Sequence, residues 1–169
     1  INNYNDSKNF NLKANDMLNV VSPTWFNLNI NGIVINSASL KYIKDAKKEN
    51  VSVWGLYKNN FNPKWTNELL SNENYIDKSI SQLLMYSSIS NSYGINIDFE
   101  NVYYEDQDRL TNFVDKLTKN LKKQNLIVSI DMTIPSSSPT WSKFYDREKL
   151  GKILDYCIVM TYDEHWASS

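Results

Sequence analysis

The segment Gly94-Ile95-Asn96-Ile97-Asp98-Phe99-Glu100 sets three polar side chains at alternate positions of an otherwise apolar run. In an extended strand successive side chains point to opposite faces, so Ile95, Ile97 and Phe99 share one face and Asn96, Asp98 and Glu100 the other. At a rise of about 3.3 Å per residue the polar groups form a column with a step of about 6.6 Å. A strand with one face in water would alternate in the same way. In a parallel sheet, where both faces are normally covered, a polar column points instead to a filled barrel interior or a catalytic cleft. Two carboxyl groups so close together and away from water do not both ionise cheaply, so one should have a raised pKa and serve as a proton donor near neutrality.

A second candidate string, Met160-Thr161-Tyr162-Asp163-Glu164-His165-Trp166, closes the last apolar run. Ligand sites of α/β sheets lie outside the carboxyl ends of the strands, which puts Tyr162 and Asp163 on the same rim as Glu100. His165 is the only histidine, and reads as a hydrogen-bonded structural residue rather than a metal ligand. Trp166 suits a core plug or a platform for stacking a sugar ring equally well. Met160 reads as a packing residue.

The elements that must position these strings alternate. Leu18 to Ser22, ending at Pro23, and Gly32 to Asn36 read as short strands, and Ala38 to Lys48 carries Leu40, Ile43 and Ala46 at helical spacing. Val51 to Tyr57 reads as a strand, Lys58 to Trp65 as a loop, and Ile76, Ile80, Leu83 and Leu84 mark a helical stripe. Strand Tyr93 to Phe99 is followed by a helix through Leu110, Phe113, Val114, Leu117 and Leu121 that ends in Lys122 and Lys123, where positive charge suits the helix terminus. Leu126 to Met132, a helix over Asp146 to Leu154 and a strand over Tyr156 to Tyr162 complete the pattern. Strand and helix in turn, at a pitch of about 30 residues, define an α/β fold with a parallel sheet and outer helices. An open doubly wound sheet and a piece of a barrel both fit. Neither GxGxxG nor GxxxxGK[ST] occurs, which argues against a phosphate-binding doubly wound sheet.

Composition narrows the partners. The chain has 169 residues, 41% hydrophobic and 22% charged, with 18 basic and 19 acidic residues interspersed, so no footprint for nucleic acid is visible. One Cys and one His leave too few ligands for a structural zinc site, and no motif calls for a metal or organic cofactor. No apolar run approaches the roughly 20 residues of a membrane span. No basic segment followed by an apolar run opens the sequence. With four Gly and four Pro there is no evident linker, and residues 1–169 read as a single domain whose polar opening, Ile1 to Asn15, is anchored by Phe10 and Leu12. That length falls below the roughly 200 residues at the lower end for a complete (β/α)8 barrel.

GINIDFE and the later MTYD resemble the family-18 glycoside hydrolases, chitinase-like (β/α)8 barrels with DGxDxDxE on the fourth strand and MxYD on the sixth. The longer strings GINIDFENV and VMTYDEHW are similar more narrowly to the bacterial branch acting on cell-wall or spore-cortex peptidoglycan. NNFNP after Trp54 and Tyr57, and PTWSKFYDREKLGKILDY before the last strand, extend the likeness from about Leu18 onward. The resemblance implies a partial barrel, about strands two to six. It implies that Glu100 is the general acid and base, that Asp98 bonds the substrate acetamide N–H, and that Tyr162 donates to the acetamide oxygen, with Met160 and Asp163 lining the same subsite. The acetamide itself would act as nucleophile. Two positions depart from the pattern: Tyr93 and Asn96 stand where carboxylates are usual, and Asn96 is expected to hydrogen-bond Asp98. The implied function is a glycosidase cleaving β-linked N-acetylglucosamine polymers, peptidoglycan in preference to chitin, at an extracellular, cell-wall or spore location. The alternative is a glycan-binding module without catalysis, against which Glu100 argues. An open five-strand piece would leave sheet edges to be covered by its own termini or another copy, and is expected to have little activity alone.

Overall fold

The computed structural model describes residues 8–10 and 18–161, so Tyr162, Asp163, His165 and Trp166 lie outside the described residues. Seven strands and five α-helices follow in order: β1 (Val20–Val21), β2 (Thr24–Leu28), β3 (Val34–Asn36), α1 (Leu40–Lys48), β4 (Ser52–Lys58), α2 (Pro63–Leu70), α3 (Glu73–Ser90), β5 (Gly94–Asp98), α4 (Gln107–Lys122), β6 (Ile127–Thr133), α5 (Arg147–Ile153) and β7 (Tyr156–Met160). The sheet order is β3-β2-β4-β5-β6-β7, with β1 also paired to β4. Strands β2, β4, β5, β6 and β7 run parallel and are joined by helical crossovers, as the alternation of elements requires.

Three local readings need correction. The first strand does not end at Pro23: β1 and β2 both pair in parallel with β4, and Pro23 only interrupts them. Proline cannot donate to the ladder, but its carbonyl still accepts from the Leu56 N–H. The Gly32–Asn36 run is not a parallel strand. Ile30–Gly32 forms a tight 3₁₀ turn, and only Val34–Asn36 pairs, antiparallel, as a hairpin on β2. Gly32 is required there: its φ is +65°, and a Cβ would lie 2.6 Å from the Tyr75 carbonyl oxygen. Lastly, a helix begins inside the stretch read as a loop. Asn62 accepts from the Lys64 and Trp65 N–H groups and Pro63 takes the first helical turn, an Asn-Pro start signal that went unread.

The helices cover one face of the sheet. Tyr57, Ile95, Ile97, Phe99, Val128 and Ile130 meet Leu83 of α3 and Leu110, Phe113, Val114, Leu117 and Leu121 of α4, all buried. Phe99 lies edge-on to Tyr57 at 5.0 Å and stacks on Phe113 at 6.1 Å. Each such side chain contributes about 1.5–3 kcal/mol by leaving water, enough in sum to hold β5 between its neighbours. The asparagine-rich composition also has a structural use. Asn31, Asn50, Asn60, Asn91, Asn101 and Asn125 all take positive φ, the left-handed turn conformation that asparagine tolerates, in a chain with only four glycines.

Gly55 of β4 faces the helices beneath the fully buried ring of Phe26, which stacks on Tyr86. A Cβ at Gly55 would lie 2.3 Å from Phe26 Cε2, and the ring is wedged in place. Gly55→Val should therefore destabilise the fold by about 1–3 kcal/mol, the range for overpacking, read as a lower midpoint in urea with an unchanged slope.

Candidate active site

Parallel register sorts the other face of the sheet into layers. Leu56, Asn96, Ser129 and Tyr156 are lateral neighbours, and one step toward the carboxyl ends Lys58 pairs with Asp98 and Asp131 with Ile158. Because Ile97 pairs with Ile130, the next positions, Asp98 and Asp131, stand side by side on adjacent strands. A further step brings Glu100, just past the end of β5, level with Thr133 and its partner Met160, which is buried. Asn96, Asp98, Glu100 and Met160 thus share one face and one rim. Below them Trp54 stacks on Tyr156 at 5.3 Å, passing over Gly94, where a Cβ would lie 2.6 Å from the Ile127 carbonyl oxygen.

The hydrogen bonds differ from the expected ones in one respect. Asn96 does not bond Asp98. Its Oδ1 accepts from Ser129 Oγ at 2.7 Å and its Nδ2 donates to Asp131 Oδ2 at 2.8 Å, so the amide is spent across β6. Asp98 shares a side-chain hydrogen bond with Glu100, which between two carboxyls requires a proton on one of them. Its other oxygen, Oδ1, is buried and has no hydrogen-bond partner among the described residues.

Burial, more than charge crowding, shifts the carboxyl groups of this face. Burial raises the Asp98 pKa, against the pull of the Lys58 ammonium and the hydrogen bond from Glu100. Asp131 is pushed up to about 7, first by burial and then by the negative charge of Asp98, with the Asn96 amide acting the other way. Tyr145 is raised as well, by burial and then by the charges of Glu100 and Asp98, so its hydroxyl stays protonated and donates to the Phe99 carbonyl at 2.9 Å.

Glu100 lies beyond the last ladder pair, and a side chain takes over the work of the ladder. Asn59 is 1% exposed. Its Oδ1 accepts from the Glu100 N–H at 3.1 Å, while its Nδ2 donates to the Glu100 carbonyl at 2.7 Å and to Thr66 Oγ1 at 2.9 Å. One amide therefore imitates a strand neighbour and fixes the backbone that carries Glu100. The rest of the NNFNP string serves the same corner: Asn60 donates to the Leu28 carbonyl and Asn62 caps α2. Between them Phe61 holds a positive φ of 56°, uncommon for a bulky residue, and its carbonyl accepts from Asn101 Nδ2. Its ring is exposed and meets the exposed ring of Trp141 edge-on at 6.0 Å.

Lys58, Asn59, Phe61, Ser129, Asp131 and Trp141 were not singled out from the sequence. Ser129 and Asp131 carried a readable signal, since LIVSIDM alternates as GINIDFE does; Asn59, Phe61 and Trp141 lie in strings that carry the family likeness, but nothing in their spacing gives them a role, because loop geometry brings them in. Among the described residues no group of three His, Cys, Asp or Glu side chains is arranged to hold a metal ion, and no helix is long and apolar enough to cross a membrane.

The chain is 30% identical over 162 residues to the uncharacterized glycosylase YvbX of Bacillus subtilis, an alignment covering 90% of this chain and 47% of that protein. It therefore spans about half the length of this curated relative. Its fold superposes on the spore cortex-lytic enzyme SleL of Bacillus cereus with a TM-score of 0.81, at 22% identity over 88% of this chain and 36% of that one. A class V chitinase from Pseudomonas fluorescens Pf-5 gives 0.79, at 24% identity over 88% and 48%. Those strands and crossovers are a segment of a (β/α)8 barrel, and with residues 2–169 matching the model for glycosyl hydrolases family 18, the chain belongs to that family.

Proposed function

We propose that this chain carries the acid/base half of a retaining glycosidase acting on β-linked N-acetylglucosamine polymers, peptidoglycan in preference to chitin. The observation that carries the reading is the buried Oδ1 of Asp98, without a hydrogen-bond partner among the described residues, beside the carboxyl of Glu100. A buried acceptor left without a donor costs about 1–3 kcal/mol, and an amide N–H of a bound N-acetyl group is the donor that would satisfy it. In that pose the acetamide oxygen lies under the anomeric carbon and attacks it, Glu100 protonates the leaving oxygen, and the charge of Asp98 stabilises the cyclic oxazolinium that forms. Glu100 then activates water to open the ring. Tyr162 is assigned the acetamide oxygen, and Met160, Asp163, Asn96 and Trp166 the surrounding subsite. The exposed Phe61 and Trp141 rings on the same rim would stack against sugar faces.

The peptidoglycan preference, and with it an extracellular, cell-wall or spore location, draws support from the name of the cortex-lytic neighbour and from the GINIDFENV and VMTYDEHW strings. Incubating purified muropeptides and chito-oligosaccharides separately with the full-length protein, and reading the products by mass, decides the substrate; binding without any product would favour a glycan-binding module instead.

Glu100→Gln in the full-length protein should cut hydrolysis by at least about 10²-fold, the contribution typical of a positioned acid, while glycan binding measured by calorimetry persists. Retained turnover would remove Glu100 from the role. Residues 1–169 expressed alone should show little turnover, since the described strands supply five of the eight parallel strands of a closed barrel. Asn59→Ala should lower kcat with KM little changed, because it frees the backbone under Glu100, and should lower stability by about 1–3 kcal/mol by orphaning buried polar groups. Asn59→Asp keeps the acceptor for the Glu100 N–H but turns a carboxylate oxygen toward the Glu100 carbonyl, and should recover neither.

A further inference from the structure

We infer that Asp131 is a functional member of the site: it and Asp98 form one coupled carboxyl pair across β5 and β6 that carries a single negative charge near neutral pH, with the proton held on Asp131. Beside Asn96 of β5, the neighbouring strand brings a second carboxyl onto the face that carries Asp98. Asp131 follows directly on the Ile97–Ile130 pair, on the same face as Asp98, and its Oδ2 is held by Asn96 Nδ2 at 2.8 Å. Asn96 is itself fixed by Ser129, so the bridge has one orientation: the amide must donate toward Asp131 because its oxygen is taken by the Ser129 hydroxyl.

The placement of the proton follows from what faces each group. Asp98 has the Lys58 ammonium across β4 and the hydrogen bond with Glu100, and both favour its charged form. Among the described residues Asp131 has only the Asn96 amide to favour its charged form, while Asp98 opposes its ionisation and Ile158, its neighbour on β7, offers no charge. From the segment before α5, the Tyr145 hydroxyl is committed to the Phe99 carbonyl, and the Arg147 guanidinium of α5 to the Thr133 carbonyl and Ser142 Oγ. Two carboxyls on adjacent strands of a half-buried face titrate in two steps that belong to the pair, and the second proton leaves late. A raised value for Asp131, about 7, agrees with that geometry. The pair keeps Asp98 anionic for the acetamide and makes Asp131 the group whose ionisation changes the field at Glu100. Once Asp131 loses its proton, the added negative charge disfavours ionisation of Glu100, so the proton needed by the leaving group is retained to higher pH.

The first half of this inference is independent of the glycosidase reading; the effect on Glu100 rests on it, and the test separates the two. Full-length protein labelled with ¹³C at the aspartate carboxyls is titrated by NMR, with Asp131→Asn assigning the signal. Asp131 should titrate near 7 in the wild type and at least about one pH unit lower in Asp98→Asn. An ordinary midpoint near 4, or one that Asp98→Asn leaves in place, overturns the pair whether or not the protein cleaves glycan. If Asp98→Asn fails to fold, Lys58→Met gives a second reading: removing the ammonium should move the lower step of the pair upward, and an unmoved step contradicts the coupling. In the kcat/KM profile, Asp131→Asn should shift the alkaline limb to lower pH. A superimposable profile contradicts the role toward Glu100, whereas absence of turnover in the wild type at every pH contradicts the glycosidase reading and leaves the NMR result to decide the pair.

Discussion

Strand β5 and the residues that continue it have to put an amide and two carboxyls, Asn96, Asp98 and Glu100, into a region that the sheet largely closes off from water, and the rest of the structure can be understood as the means of doing so. Ile95, Ile97 and Phe99 are fully buried against α3 and α4, which anchors the strand from behind. The opposite face then carries charge that apolar surroundings would expel. Lys58 on one side, the Glu100 hydrogen bond above and the Ser129–Asn96–Asp131 chain on the other side reduce that cost. Among the described residues, Asp98 Oδ1 is the buried oxygen of this face that they leave without a hydrogen-bond partner. A buried acceptor in that state carries a cost that a hydrogen-bond donor would remove.

Positioning at the rim relies on side chains in place of strand pairing. The ladder stops at Lys58 and Asp98, yet Glu100 is held as firmly as a strand residue because Asn59 bonds both its N–H and its carbonyl, and Tyr145 holds the carbonyl of Phe99. Ending the sheet early frees the Glu100 side chain to face the rim while its backbone stays fixed. The same asparagine-rich corner turns the chain into α2 and displays Phe61, so the acid and the aromatic edge are built by one short segment.

The crossovers and the polar column were legible because they rest on periodicity: alternation in GINIDFE, and apolar spacing in α3 and α4, survive any detail of packing. Pro23 and the GIVIN run misled because a strand can pause at a proline and resume, and because three apolar residues do not reveal whether they pair parallel or antiparallel. Asn96 was rightly placed but given the wrong partner. Its bond to Asp131 depends on the lateral register of β5 and β6, which no single strand encodes. The role of Asn59 was hidden for a related reason, since it exists only where the ends of β4 and β5 meet.

The account turns on a single acid working with the substrate's own acetamide rather than with a second protein nucleophile. Time-resolved NMR of the first product formed by the full-length protein from an N-acetylated glycan tests this most directly. Passage through an oxazolinium gives two displacements at the anomeric carbon and hence a product that is β when first formed, before mutarotation. First-formed β product is the predicted result; an α anomer at the earliest times would mean direct attack by water and would contradict the account.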